Sequence, residues 1–127
     1  MAALSLEQVG QLAEVVGASV TNQELGLLTA DSFSARYFRA DILASSVTSA
    51  TGITVKLQHK MTGGAYVDLA SSNASVAITG NGTFSIVLNV NRAGDQADLP
   101  LRKSCRLVVT TGAGDAVTFD RIIHQRG

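Results

Sequence analysis

The chain has 127 residues, the size of one domain or one domain with an arm, and a chain of this length buries roughly two-thirds of its unfolded surface. Ten basic and ten acidic residues cancel, which excludes the basic excess of a general nucleic-acid binder, and a single cysteine excludes an intrachain disulfide or a cysteine zinc cluster. Charged residues are 16% and apolar residues 46%, against about 25% charged in an average domain, so part of the surface is expected to be covered by other chains.

The opening Met1-Ala2-Ala3-Leu4-Ser5-Leu6-Glu7-Gln8 has no basic residue and no long apolar run, so it does not read as a secretory signal. No apolar stretch reaches the ~18 residues of a membrane span. Ser5 and Gln8 fit a capping box. Leu6, Val9, Leu12, Ala13 and Val16 then recur at spacings of three and four, the stripe of a helix. Glu7 suits its first turn and Gly17 its end, while Gly10 costs about 1 kcal/mol relative to Ala. Such a short helix is marginal alone and must dock on something. Residues 18–35 place Val20, Leu25, Leu27 and Leu28 among small polar residues. They read as an extended arm with room for one helical turn.

From residue 36 the period changes to two. Phe38, Ala40, Ile42 and Ala44 share one face of a strand over 36–44, and 45–52 reads as a flexible loop. Ile53, Val55 and Leu57 mark the next strand. Thr62-Gly63-Gly64 turns it back into Ala65, Val67 and Leu69, so 53–60 and 65–70 are a predicted hairpin. Val76 and Ile78 mark a short strand, expected to pair through Gly80-Asn81-Gly82 with the strand of Phe84, Ile86 and Leu88. The polar connection 89–101 is long enough to cross between sheets. Cys105, Leu107 and Val109 alternate with Arg106, Val108 and Thr110 in the following strand. Gly112-Ala113-Gly114-Asp115 then closes a last hairpin ending in Val117, Phe119, Arg121 and Ile123. About seven strands with frequent turns predict an all-β antiparallel sandwich or jelly roll over 36–127, preceded by a helix and extended arm over 1–35. The sandwich is expected to fold without the arm. Its predicted core is Phe38, Ile42, Val55, Leu57, Val67, Leu69, Ile78, Phe84, Ile86, Leu88, Leu107, Val109, Val117, Phe119 and Ile123.

The residues with chemical potential read as structural. Thr111-Gly112-Ala113-Gly114-Asp115 lacks the Lys and the strand-to-helix setting of a phosphate cradle. His59 and His124 sit at strand ends with no ligand spacing and read as exposed or capping. Cys105 reads as a small core hydrophobe. Asp41, Asp68, Asp95, Asp98, Asp115 and Asp120 lie on polar faces or at turns, where Asp has ordinary work. Asn73-Ala74-Ser75 and Asn81-Gly82-Thr83 match the glycosylation sequon only by chance. Arg outnumbers Lys among the cations, which favours interface ion pairs through its bidentate fork. No catalytic, cofactor or metal site is expected. The expected interface residues are those of the arm: Leu6, Val9, Leu12, Val16, Leu25, Leu27 and Leu28.

The segments Gly52-Ile53-Thr54-Val55-Lys56-Leu57-Gln58-His59-Lys60 and Gly63-Gly64-Ala65-Tyr66-Val67-Asp68-Leu69 resemble a pattern of small structural proteins of tailed bacteriophages. So do Asn81-Gly82-Thr83-Phe84, Ala97-Asp98-Leu99-Pro100-Leu101-Arg102 and 106–118. The likeness spans roughly residues 36–125, with Tyr66 where such proteins often carry Trp. The resemblance implies a β-sandwich capsid decoration, or cement, protein. Such a protein would be a homo-oligomer, a trimer, bound to the major capsid protein or another virion protein. It would be located in the virion after assembly in the host cytoplasm, with no cofactor, nucleic acid or membrane partner. The alternative is a neck, tail or baseplate ring component. A carbohydrate-binding sandwich comes third, because aromatics are only 5% of the chain with no Trp.

Overall fold

The structure is a computed structural model that describes residues 5–9, 14–25, 30–31, 35–61, 63–99, 101 and 104–127, with the backbone alone at 5–9 and 30–31. Two antiparallel sheets face each other. In one, β1 (Ser5–Val9), β11 (Ala116–Arg126), β5 (Tyr37–Thr48) and β9 (Gly82–Asn89) lie side by side, and β2 (Glu14–Val16) also pairs with β11. In the other the order is β3 (Gln23–Glu24), β10 (Ser104–Thr110), β6 (Thr54–Lys60), β7 (Tyr66–Asp68); β4 (Ala30–Asp31) also pairs with β10, and β8 (Ser75–Ala77) with β6.

Alternation sends one face of each strand inward, as in aligned sandwiches generally. Phe38, Ala40 and Ile42 from β5, Ile86 and Leu88 from β9, and Val117 and Phe119 from β11 meet Val55 and Leu57 from β6 and Leu107 and Val109 from β10. Burying one such side chain contributes roughly 1.5–3 kcal/mol. The predicted core holds at Phe38, Ile42, Val55, Leu57, Leu69, Ile78, Ile86, Leu88, Leu107, Val109, Val117 and Phe119. Phe84 and Val67 are only partly buried. At the end of the chain the inward residue is Ile122 rather than Ile123. The cause is a register shift between Phe119 and Arg121. A bulge adds one residue, so Asp120 and Arg121 both face out and the alternation restarts on the other parity.

Two pairings and one strand length differ from the sequence expectation. β8 joins β6 while β9 joins β5, so Gly80-Asn81-Gly82 steps between sheets instead of closing a hairpin. The turn 112–115 likewise carries the chain from β10 in one sheet to β11 in the other. β5 does not end at residue 44 but runs to Thr48 past a kink at Ser46 (φ 50). The hairpin of β6 and β7 forms as predicted, turned by Gly63 and Gly64 at φ 102 and 99, a region that L side chains rarely adopt. The connection 89–101 crosses between sheets as expected.

The N-terminal helix is not present among the described residues. Ser5–Val9 is a strand in register with Ile122–Arg126, and Glu14–Val16 is a strand in register with Val117–Phe119. A single short amphipathic helix is weak alone. Val9, Val15 and Val16 are β-branched and favour a strand once an open sheet edge is offered, and β11 offers that edge. Among the described residues of 18–35, Gln23 and Glu24 pair with Val109 and Val108, and Ala30 and Asp31 with Cys105 and Ser104, which adds two short strands to the second sheet.

Candidate assembly surface

The arm residues separate into distinct settings. Leu6 and Val9 lie on β1, at register with Gln125 and Ile122. Val16 and Leu25 are buried in the core of this same chain, at 1% and 0% exposure. Leu12, Leu27 and Leu28 lie outside the described residues. Beside Val16, Val15 is 73% exposed and faces out from the edge of the first sheet at register with Thr118. The helical spacing sets Val16 on a stripe that must dock on something; strand alternation puts Val16 inside and its neighbour Val15 outside.

The outer face of the first sheet mixes apolar and charged groups. Leu43, Val87 and Ile123 are partly exposed there. Arg39 Nε donates to Asp41 Oδ1 at 3.2 Å, and Ser85 Oγ donates to the same oxygen at 2.5 Å. On the second sheet's outer face, Lys56 Nζ and Gln58 Nε2 donate to Asp68 at 2.9 and 2.7 Å, and Arg106 Nε donates to Gln58 Oε1. The Gln58 amide and the Lys56 ammonium hold the Asp68 carboxyl below its usual range. The Arg106 guanidinium lies 4.2 Å from the centre of the Tyr66 ring, a cation–π contact that occupies one side of the aromatic surface a sugar would stack on.

The remaining carboxylates tie loops together. Asp115, nearly fully buried, accepts from Thr51 N, Thr51 Oγ1, Gly52 N and Gly112 N at 2.7–3.0 Å. These bonds, the Thr51 amide first, lower its pKa. A Cβ at Gly112 would meet Asp115 Oδ2 at 3.0 Å, so a side chain there requires this hydrogen-bonded carboxylate to shift. Asp98 accepts from Ala70 N and Ser71 N at 2.7 and 2.8 Å. Asp95 is fully buried. It accepts from Ser71 Oγ (2.5 Å), Asn73 Nδ2 (3.1 Å), Asn89 N (3.0 Å) and Arg92 Nε (2.6 Å). Together Asp95 and Asp98 pin the crossing connection to the 70–73 segment. Sequence reading saw turn aspartates; that three of them converge on distant loops had no local signal.

Burial pushes the Asp95 pKa up, but the four donors outweigh it and hold the carboxyl at about 2, against an ordinary 3.8. A folded pKa below the unfolded one stabilises above the unfolded value, and that stability is lost as pH falls through the folded value. Urea unfolding is therefore expected to show a loss of about 2 kcal/mol from Asp95 between about pH 4 and about pH 2. Asp95→Asn should flatten that part of the profile.

His124 is buried and stacks on Phe38 at 6.2 Å between ring centres, not exposed or capping as expected, because the bulge in β11 turned it inward. His59 is partly buried at register with Cys105, and Cys105 is buried. Among the described residues no group of three or more His, Cys, Asp or Glu side chains is placed to hold a metal ion. Both sequon asparagines are engaged: Asn73 with Asp95, and Asn81 Oδ1 accepting from Val47 N at 2.9 Å. No helix is long and apolar enough to cross a membrane, among the described residues.

The sequence matches no family model and no curated protein. Solved structures share the fold. A chain of infectious bursal disease virus, Gx strain, is 9% identical with a TM-score of 0.51, over 98% of this chain and 32% of that one. The VP2 subviral particle of the same virus gives 11% identity and a TM-score of 0.50, over 98% and 32%. A chain from the disulfide-linked pili of Bacillus endospore appendages gives 11% identity and a TM-score of 0.48, over 97% and 87%. This chain thus spans about a third of the length of the two viral chains. At these identities the likeness to the two viral chains shows a shared fold alone.

Proposed function

We propose that the chain is a non-enzymatic structural protein of a virion, specifically a capsid decoration protein that binds the assembled head and stabilises it. The observation that carries this reading is the N-terminal segment. Its described residues are laid as short strands along β11 in one sheet and β10 in the other, with Val15 bare at the edge. Short edge strands of this kind are joints that one copy can offer to a neighbour by strand addition. Leu6, Val9, Leu12, Leu27 and Leu28 supply the apolar contact, and Val16 and Leu25 anchor the segment in the sandwich. The partners are the major capsid protein, or another virion protein, and further copies of the chain arranged as a trimer. Binding assembled heads better than free subunits stabilises the head by mass action. The phage resemblance over 36–125 and a sandwich fold shared with viral chains support the reading.

Quantitative mass spectrometry of purified particles tests it. Hundreds of copies per particle are expected. A single ring's complement would assign the chain to the neck, tail or baseplate instead, and its absence from particles would end the virion reading.

A further inference from the structure

β9 borders the first sheet, and no described strand pairs with its outer side. It is eight residues long, whereas β1, β2, β3, β4, β7 and β8 have five or fewer. Its sequence, Gly-Thr-Phe-Ser-Ile-Val-Leu-Asn, has no charge and no proline. Long, uncharged, β-prone edges are templates for pairing with another chain. Backbone groups of a strand point alternately to its two sides. Those of Val87 and Asn89 point away from β5, because both are held by side chains from the following turn: Asp95 Oδ2 accepts from Asn89 N at 3.0 Å, and Arg92 Nη2 donates to Val87 O. Arg92 Nε also donates to Asp95 at 2.6 Å. One ion pair therefore takes up a donor and an acceptor of the open edge. It is itself braced by Ser71 and Asn73. Among the described residues nothing comparable covers Thr83 or Ser85, both exposed.

We propose that the Arg92–Asp95 pair is a clasp that closes a strand-addition site on β9, and that the occupant of the opened site is β9 of a second copy. Two antiparallel copies of this strand related by a two-fold axis pair each outward residue of one copy with another of the same set on the second, so that an axis at Ser85 would set Thr83 against Val87 twice. Because the segment is uncharged, they meet without like charges on the strand itself. The clasp confines association to the other surfaces of the molecule until it is released.

Arg92→Ala breaks the ion pair and frees the Val87 carbonyl, and Arg92→Lys keeps the charge beside Asp95 but not the fork that reaches both partners. Both full-length variants are checked by circular dichroism, then compared with the parent chain by sedimentation velocity across a concentration series. The expected result is a species about twice the parent's mass that grows with concentration. Adding Val87→Lys, an edge charge of the kind that blocks pairing, is expected to abolish it. The proposal is overturned if folded Arg92→Ala or Arg92→Lys sediments like the parent at every concentration. It is also overturned if the added species survives Val87→Lys, since the contact would then lie elsewhere.

Discussion

Phe119→Ala is expected to destabilise the chain by about 3–5 kcal/mol, the range for emptying a packed aromatic site. Phe119 is fully buried, and its strand is paired on both sides, with Glu14 of β2 and Ala44 of β5 at its level. It also stands immediately before the bulge that sets the facing of everything after it. The half-buried Phe84 is expected to cost less than Phe119, where the sequence pattern alone ranked it with the deepest core. Urea unfolding of both alanine variants checks the order. A cost near zero at Phe119 would mean that the inward face of the first sheet is assigned backwards, because a one-residue slip inverts every side chain.

Truncation to 36–127 is expected to abolish or greatly weaken the cooperative melt. The division at residue 35 leads the sequence reader to expect an independent sandwich, but Val16 and Leu25 are fully packed into it. Losing both removes roughly 3–6 kcal/mol of burial, a large share of the 5–15 kcal/mol that holds a typical domain. It also strips β11 and β10 of their outer partners. Thermal melts followed by circular dichroism decide the matter. A truncated chain melting at the same temperature as the full one would show that the segment contributes nothing to the core.

What the sequence made legible were the elements whose period was long and undisturbed. β5, β6, β9 and β10 announce themselves by alternation, and their inward residues are the ones expected. It misled where a local rule met a tertiary one. Leu6, Val9, Leu12 and Val16 fit a helical spacing, yet an unfilled edge of β11 draws the segment into strands. Gly80-Asn81-Gly82 has the composition of a hairpin turn, but pairing follows the two sheets rather than the nearest neighbour. Alternation in β11 breaks at Asp120 and Arg121, where one extra residue moves Ile122 and His124 inside. Of the candidate assembly surface, the apolar residues were visible; that Val16 and Leu25 are buried in the core was not. The clasp on β9 was invisible for a different reason. It depends on Arg92 and Asp95 folding back on an edge that only the topology defines.

The proposed assembly role rests on the first strand, so the most direct measurement removes that strand alone. A chain of residues 14–127 lacks Leu6, Val9 and Leu12 but keeps Val16 and Leu25 in place. It is to be compared with the full chain by circular dichroism, by sedimentation velocity and by co-sedimentation with heads that lack this protein. The shortened chain is expected to stay folded, to lose its oligomeric state and to bind heads at least about tenfold more weakly, a deficit of roughly 1.4 kcal/mol or more. Unchanged oligomerisation and unchanged binding would contradict the role of the N-terminal strand and place the contact on the sandwich itself.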